Sequence, residues 1–428
     1  MANLESANTV SQTGNGNSNG DAASSRDGGG AATQLTRKLV LAQLGALGNG
    51  VLRIREPGRA DVVLGDGDAR YPAAEMVVHD ASTWTDLVTG GSIGAAEAFV
   101  AGDWDTPDLT SLLRFFARNV DRMNRFEDRF AWISKPLLKG LHWLNRNTPT
   151  GSRKNIQAHY DLGNELFETF LDPTMMYSSA KYPHEQASLE EAAVHKLDLI
   201  CRKLDLGPDD HVVEIGTGWG GFAIHAAKHY GCRVTTTTIS EQQLALAKAR
   251  VEEEALADRI TLLFDDYRDL AGQFDKLVSI EMIEAVGPQY LDSYLAKIDQ
   301  LLKPGGQALI QAINMPEQRY QRALKNVDFI QRFIFPGSFI PSFGAILGSV
   351  RRRSDLVLSH VEDLTPDYAR TLADWCQRFI AHSDRLEALG YDQRFRRLWQ
   401  FYFAYCEAGF SERTVGVAQI QLEKPVGV

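Results

Sequence analysis

Residues 212–221 read VVEIGTGWGG, and the helical run FAIHAAKHY follows at 222–230. Apolar β-branched residues running into glycines describe a strand, a tight turn and a helix start. Gly216 and Gly218 let a ligand approach the backbone closely, and a helix N-terminus favours an anionic group. A dinucleotide site is the obvious rival, and three features count against it. Glu214 precedes the glycines on the strand itself. No acidic residue ends the second strand, RVTTTTI (233–239), where a dinucleotide fold keeps one for the ribose. LLKPGGQALIQ (301–311) places a Pro-Gly-Gly turn before a late strand.

Outward from this loop, strand and helix alternate from about residue 190, the sign of a parallel α/β sheet. HVVEIG, RVTTTTI, ITLLF, FDKLVSI and QALIQAI are the strand candidates, and SEQQLALAKARVEEEAL is a helical run between them. Upstream, residues 1–34 are Gly, Ser, Asn and Ala with few large apolar side chains, a tail expected to be disordered. Short runs such as GVLRIREP and ADVVLGDG predict a smaller α+β domain over 35–111. Residues 112–154 then carry ten basic residues against three acidic ones, in a chain of net charge −10. Through Arg129 the basic residues recur every three or four positions among Phe, Val and Met, so 112–155 reads as a basic amphipathic helical linker. Such a helix either packs a solvated face on the next domain or docks on anionic lipid headgroups.

The acidic total speaks against nucleic acid as a partner. Cys201, Cys232, Cys376 and Cys406 are scattered with no CxxC, which suits free thiols in a reducing cytoplasm and suggests no metal site. His225 and His229 lie four apart without the glutamate or further ligands of a zinc site and read as ordinary helix residues. No apolar segment of signal-peptide type follows the start. The uncharged stretch FIFPGSFIPSFGAILGSV (333–350) is broken by Pro336, Pro341 and three glycines. It reads as a buried or lipid-facing loop rather than a span.

The glycine loop, Glu214 and the late Pro-Gly-Gly turn together resemble a class I S-adenosylmethionine (SAM) methyltransferase, an α/β Rossmann-like fold with a mostly parallel sheet flanked by helices. More specifically, IQAHYDLGNELFETFLDPTMMYSSA, EIGTGWGG, TTISEQQ, DDYRDL, EMIEAVG, DFIQRFIFPGSFIPS and YCEAGFSER resemble blocks of the cyclopropane-fatty-acyl-phospholipid synthases and mycolic acid cyclopropane synthases. The resemblance places the catalytic domain at 156–428 with an acyl-binding insertion around 315–350. It implies methyl transfer from SAM to the cis double bond of an unsaturated acyl chain in a membrane phospholipid, giving a cyclopropane. The poorly nucleophilic alkene must be pressed against the methyl, and the resulting carbocation needs aromatic faces and exclusion of water. A base, a bicarbonate ion by the resemblance, then removes a proton. A protein at the inner face of the membrane, peripherally bound from the cytoplasm, is expected, with a homodimer as a further expectation.

Carried over residue by residue, the SAM site draws on Tyr177, Ser178, Gly216, Gly218, Gly220, Thr238, Ser240 and Gln243, with Asp266 and Tyr267 reading the adenine. The bicarbonate pocket maps to Glu284, Ile313, Ser179 for a cysteine, Gln311 for a histidine and Cys376 for a tyrosine. Ser and Gln still donate hydrogen bonds, but the charge switching of histidine is lost. Cys406 matches a cysteine suspected of catalysis, although alkene methylation needs no thiol nucleophile and a buried small hydrophobe is the simpler reading. Glu281 stands where the best-known members often carry a small residue, and it is expected only to support the residues around the reacting groups. His159 and Asp161 either close over the site or cap it structurally. The altered pocket keeps open a methylene- or methyl-branched product, and a non-catalytic SAM- or lipid-binding protein is the other alternative.

Overall fold

The computed structural model describes residues 30–68, 70–125 and 162–427. Most of the expected tail, much of the linker, His159 and Asp161 lie outside those residues. Two sheets organise the rest. The smaller has the order β2-β1-β3-β4, built from β1 (Val51–Arg55), β2 (Val62–Gly65), β3 (Ala74–Val78) and β4 (Trp104–Asp105). With the helices Ala31–Leu44, Thr83–Ala101 and Leu109–Arg118 it forms the α+β unit, whose first helix begins inside the stretch expected to be tail.

The helix Leu109–Arg118 decides between the two readings of the basic segment for the residues it covers. Asp108 caps it, accepting from Ser111 N at 2.9 Å, and Leu112 and Phe115 are wholly buried. Arg114 and Arg118 both bind Glu412 Oε1, at 2.7 and 2.9 Å. Their charges therefore join the two parts of the protein, and the lipid-docking reading is corrected for these two positions.

The larger sheet comprises β5 (His211–Ile215), β6 (Arg233–Thr237), β7 (Ile260–Leu263), β8 (Phe274–Ile280), β9 (Leu302–Asn314), β10 (Val357–Asp363) and β11 (Gly416–Glu423). Their order is β10-β11-β9-β8-β5-β6-β7, and β11 pairs antiparallel with both of its neighbours while β5 to β9 pair in parallel. Both faces are covered, which is why β5 is a near-continuous apolar run. Val212, Val278 and Leu309 pack into one core with Leu197 and Phe222, whereas Val213, Leu277 and Ile310 pack into the other with Leu295 and Ile298. A third core, rich in aromatic rings, binds the helices Thr365–Ala381 and Gln393–Ser411 to the smaller unit through residues such as Trp375, Trp399 and Phe99.

The stretch 333–350 is a loop only in its middle. A π-helical turn, Ile330–Ile334, precedes it, and the helix Phe343–Arg353 starts where Ser342 Oγ accepts from Ala345 N at 3.1 Å. Among the described residues, no helix is long and apolar enough to cross a membrane.

Candidate active site

The order of the large sheet places β5 between β6 and β8, so the chain leaves β5 and β8 in opposite directions and opens a crevice at their carboxyl ends. The glycine loop leaves β5 there, and Glu281–Glu284 leave β8 beside it. Gly216 sits at φ +99°, and a Cβ on it would lie 3.2 Å from Met282 Cγ, so the space beside the loop needs glycine. The amides of Gly216 and Thr217 both donate to Thr237 O, at 3.2 and 3.0 Å. Behind them Thr236 Oγ1 donates to Glu214 Oε2 at 2.7 Å. Burial pushes the Glu214 carboxyl up to about 8.

Tyr177, Ser178, Gly216, Gly218, Thr238, Gln243, Asp266 and Tyr267 all line one cavity with this loop. Thr238 Oγ1 donates to Gln243 Oε1 at 2.9 Å, and Asp266 is held by Arg268 through two bonds of 2.8 and 2.6 Å. Gly220 and Ser240 do not reach the cavity. Gly220, at φ +86°, caps the helix Gly221–Tyr230, and Ser240 Oγ caps Glu241–Glu253 by accepting from Gln243 N at 3.3 Å. These two are corrected to helix caps, while the remaining residues form a cradle whose glycine gap, acidic strand end and acid–tyrosine pair fit SAM.

The carboxylate end of the site differs most from expectation. Glu281 stands at φ +48°, in the left-handed region, and lines the cavity. Its Oε1 accepts from Ser179 N and from Gln311 Nε2, both at 2.8 Å, and its Oε2 accepts from Tyr368 Oη at 2.8 Å. Gln311 is itself spent: its Oε1 accepts from Gln419 Nε2 at 3.0 Å. Neither Ser179 nor Gln311 lines the cavity, and the Ser179 hydroxyl turns to Ala180 O. Cys376 also lies off the cavity, and Tyr368, two turns earlier on the same helix, supplies the phenol instead. Two of the residues mapped to bicarbonate, Ser179 and Gln311, thus already serve Glu281, and Ile313 N serves Glu284, so the ion does not fit them.

Glu284 lines the cavity beside Glu281. Its Oε1 accepts from Ile313 N at 2.6 Å, while its Oε2 is buried without a hydrogen-bond partner. Burial first, and the Glu281 charge second, push its carboxyl up to about 8. Lys196 is the cation of this neighbourhood, and nothing in the sequence marked it. It is fully buried, donates to Ser178 Oγ at 2.7 Å, and is pulled down to about 8 by burial against the opposing pull of Glu281, Asp172 and Glu214. Cys406 reaches the cavity wall, but burial pushes its thiol far up, so it stands there as an uncharged hydrophobe.

The cavity, about 1580 Å³, extends well beyond a cofactor's needs. Near the carboxylates its wall is aromatic: Tyr177 and Tyr402 share a 2.9 Å hydrogen bond, and Phe335 stands against both rings. It continues along Phe335–Ile340 of the insertion and into the smaller unit, past Leu44, Met76 and Val88.

Residues 147–420 match the family described as mycolic acid cyclopropane synthetase. The tuberculostearic acid methyltransferase UfaA1 of Mycobacterium tuberculosis is 38% identical over 347 residues, 77% of this chain and 78% of that one. The cyclopropane-fatty-acyl-phospholipid synthase of Escherichia coli is 34% identical over 371 residues, 82% of this chain and 88% of the relative. Among solved structures, the mycolic acid cyclopropane synthase CmaA1 complexed with SAH and CTAB aligns at a TM-score of 0.60 and 28% identity, over 64% of this chain and 98% of that one. A glycine cradle shaped for SAM, on a sheet of this order, agrees with all three, and the chain belongs to the cyclopropane synthase family of SAM-dependent methyltransferases.

Proposed function

We propose that the protein methylates the cis double bond of an unsaturated acyl chain held in a membrane phospholipid and closes the product to a cyclopropane. The observation that carries this reading is the single long cavity that joins the SAM cradle, an aromatic wall and an aliphatic channel. SAM supplies an electrophilic methyl on sulfonium, which the π electrons of the alkene take as a neutral thioether leaves. The chain's own residues do the rest. Tyr177, Tyr402 and Phe335 present aromatic faces to the developing carbocation and keep water away. The aliphatic channel holds the acyl chain straight against the methyl.

An acyl chain that carries an anionic headgroup is favoured by the charge at the wall. Arg122, Arg125, Arg319, Arg322 and Lys325 all line the cavity, and the helix Glu317–Ala323 sets Arg319 within 3.7 Å of Asp121 and Arg322 Nη2 at 3.2 Å from Asn124 O. A phosphate diester is the matching anion, and a protein that reaches it works bound to the membrane surface from the cytoplasm.

A second reading, a methylene- or methyl-branched product, has specific support in the name of the UfaA1 relative and in the rebuilt anion pocket. Purified protein, SAM and vesicles of unsaturated phospholipid test both. Release of S-adenosylhomocysteine with upfield ring-proton signals supports the cyclopropane, and olefinic signals of an exocyclic methylene or a branched methyl signal support the second reading. No release with any unsaturated lipid would leave a SAM- or lipid-binding protein and overturn both.

A further inference from the structure

We infer that Glu281 replaces the bicarbonate ion of this site: the chain carries the anion as its own side chain, and Glu281 Oε2 receives the proton lost from the methylated acyl chain. The inference rests on the alkene-methylation reading above.

Three observations carry it. First, the hydrogen bonds that would select a small oxyanion are taken. Ser179 N and Gln311 Nε2, at two of the five positions the resemblance assigns to bicarbonate, both end on Glu281 Oε1. Tyr368 Oη ends on Oε2, whose second lone pair these bonds leave for a proton. Second, the backbone at Glu281 lies at φ +48°, a conformation glycine adopts freely and a glutamate adopts only under strain. A strained residue persists where its side chain is needed, and here that side chain is a buried carboxylate with three donors. Third, charge separates the two neighbouring acids. Glu284 has one donor and is pushed up to about 8, whereas at Glu281 burial also raises the carboxyl but is opposed by three donors and the nearby Lys196.

The proton step then closes within the chain. A C–H bond of the transferred carbon breaks, and its electron pair forms the second ring bond to the cationic carbon. The proton passes to Glu281 Oε2. In the methylene alternative a 1,2-hydride shift first moves the cation onto the methylated carbon, the electron pair of the same C–H bond then forms a C=C bond to it, and the proton takes the same route.

The test has two arms. Carbon-13 bicarbonate is titrated into the purified chain and its NMR linewidth followed, with no substrate present. The wild type is expected to leave the signal sharp, and Glu281→Gly, whose backbone conformation suits glycine, is expected to broaden it. Broadening by the wild type, or none by a Glu281→Gly variant that melts cooperatively, overturns the inference even if the lipid reading has failed. In the second arm, SAH release from unsaturated vesicles is measured in buffer freed of carbon dioxide. The wild type keeps its rate on adding bicarbonate, and Glu281→Gln loses about 10²- to 10⁴-fold in kcat while binding SAH as before. Glu284→Gln keeps most of the rate at pH 7, because the amide imitates the neutral acid. Bicarbonate stimulation of the wild type, or the opposite ranking of the two glutamines, would sink the proposal.

Discussion

Lys196→Met should make the protein more stable at neutral pH and less active. Lys196 is fully buried, and its ammonium is pulled from an ordinary 10.5 to about 8. That difference is worth about 3 kcal/mol against the charged form, with the attraction of the nearby carboxylates already included. Methionine fills a similar volume without the charge but gives up the 2.7 Å bond to Ser178 Oγ, a loss of about 1 kcal/mol. A net gain of about 2 kcal/mol remains, or roughly 2–4 °C in Tm for a chain of this size. The pH dependence fixes the cause. Between pH 10.5 and about 8 the unfolded lysine binds a proton that the folded one does not, so the wild type loses stability as pH falls through this window. Below 8 the penalty is constant. Paired thermal melts from pH 6 to 10.5 should therefore show the variant's advantage in full below pH 8 and closing toward 10.5. SAM titration should show weaker binding, because Ser178 lines the cavity and loses its anchor. A variant destabilised by a constant amount at every pH would refute the claim that burial outweighs attraction at this lysine.

Other outcomes follow from the same geometry. Because Glu284 and Glu214 both hold their protons up to about 8, the wild type should lose stability as pH rises from 4.5 to 8 and level off above; chemical denaturation at steps across that range should show a shallower slope in Glu284→Gln, with the share of Glu214 remaining. Tyr368→Phe removes the donor on Glu281 Oε2 and should raise the acidic limb of the kcat/KM profile, with a stability loss of about 2 kcal/mol by urea titration. Replacing Arg319 and Arg322 together by glutamine should raise KM for anionic vesicles and flatten its salt dependence, with kcat little changed in vesicle assays at several ionic strengths.

What could be read without coordinates was what is local. The glycine loop declares itself because positive φ at Gly216 and Gly218 is a property of those residues alone, and β5 because burial on both faces makes it an apolar run. Glu281 could not be read this way. Its three donors come from Ser179, Gln311 and Tyr368, on three segments 102, 30 and 87 residues away. Matching position to position sent the phenol to Cys376, whereas the structure takes it from Tyr368 on another turn of that helix. Lys196 lies in LEEAAVHKLDLICRK, where a lysine reads as solvated, and only the packing of Ser178 over it reveals its burial. Ser240 and Gly220 sat in cofactor motifs and proved to be helix caps, a use those residue types share with ligand binding.

The two glutamates of SIEMIEAVG follow β8 into a cavity that Glu214 also lines, and Lys196 feels Glu281, Glu214 and the buried Asp172. Three like charges cannot all persist there, and the donor counts decide which does. Glu214 has Thr236, Glu284 has one backbone amide, and Glu281 has an amide, a carboxamide and a phenol. Burial raises all three, but Glu214 and Glu284 reach about 8, while most of what opposes burial collects at Glu281. Burial thus meets most opposition at Glu281, which lines the same cavity as the cradle that fits SAM and the aromatic wall. A diffusible anion in the same place would compete with Glu281 for donors that are already engaged. Hydrogen-bond geometry thus makes Glu281, rather than Glu284, the working anion of the site.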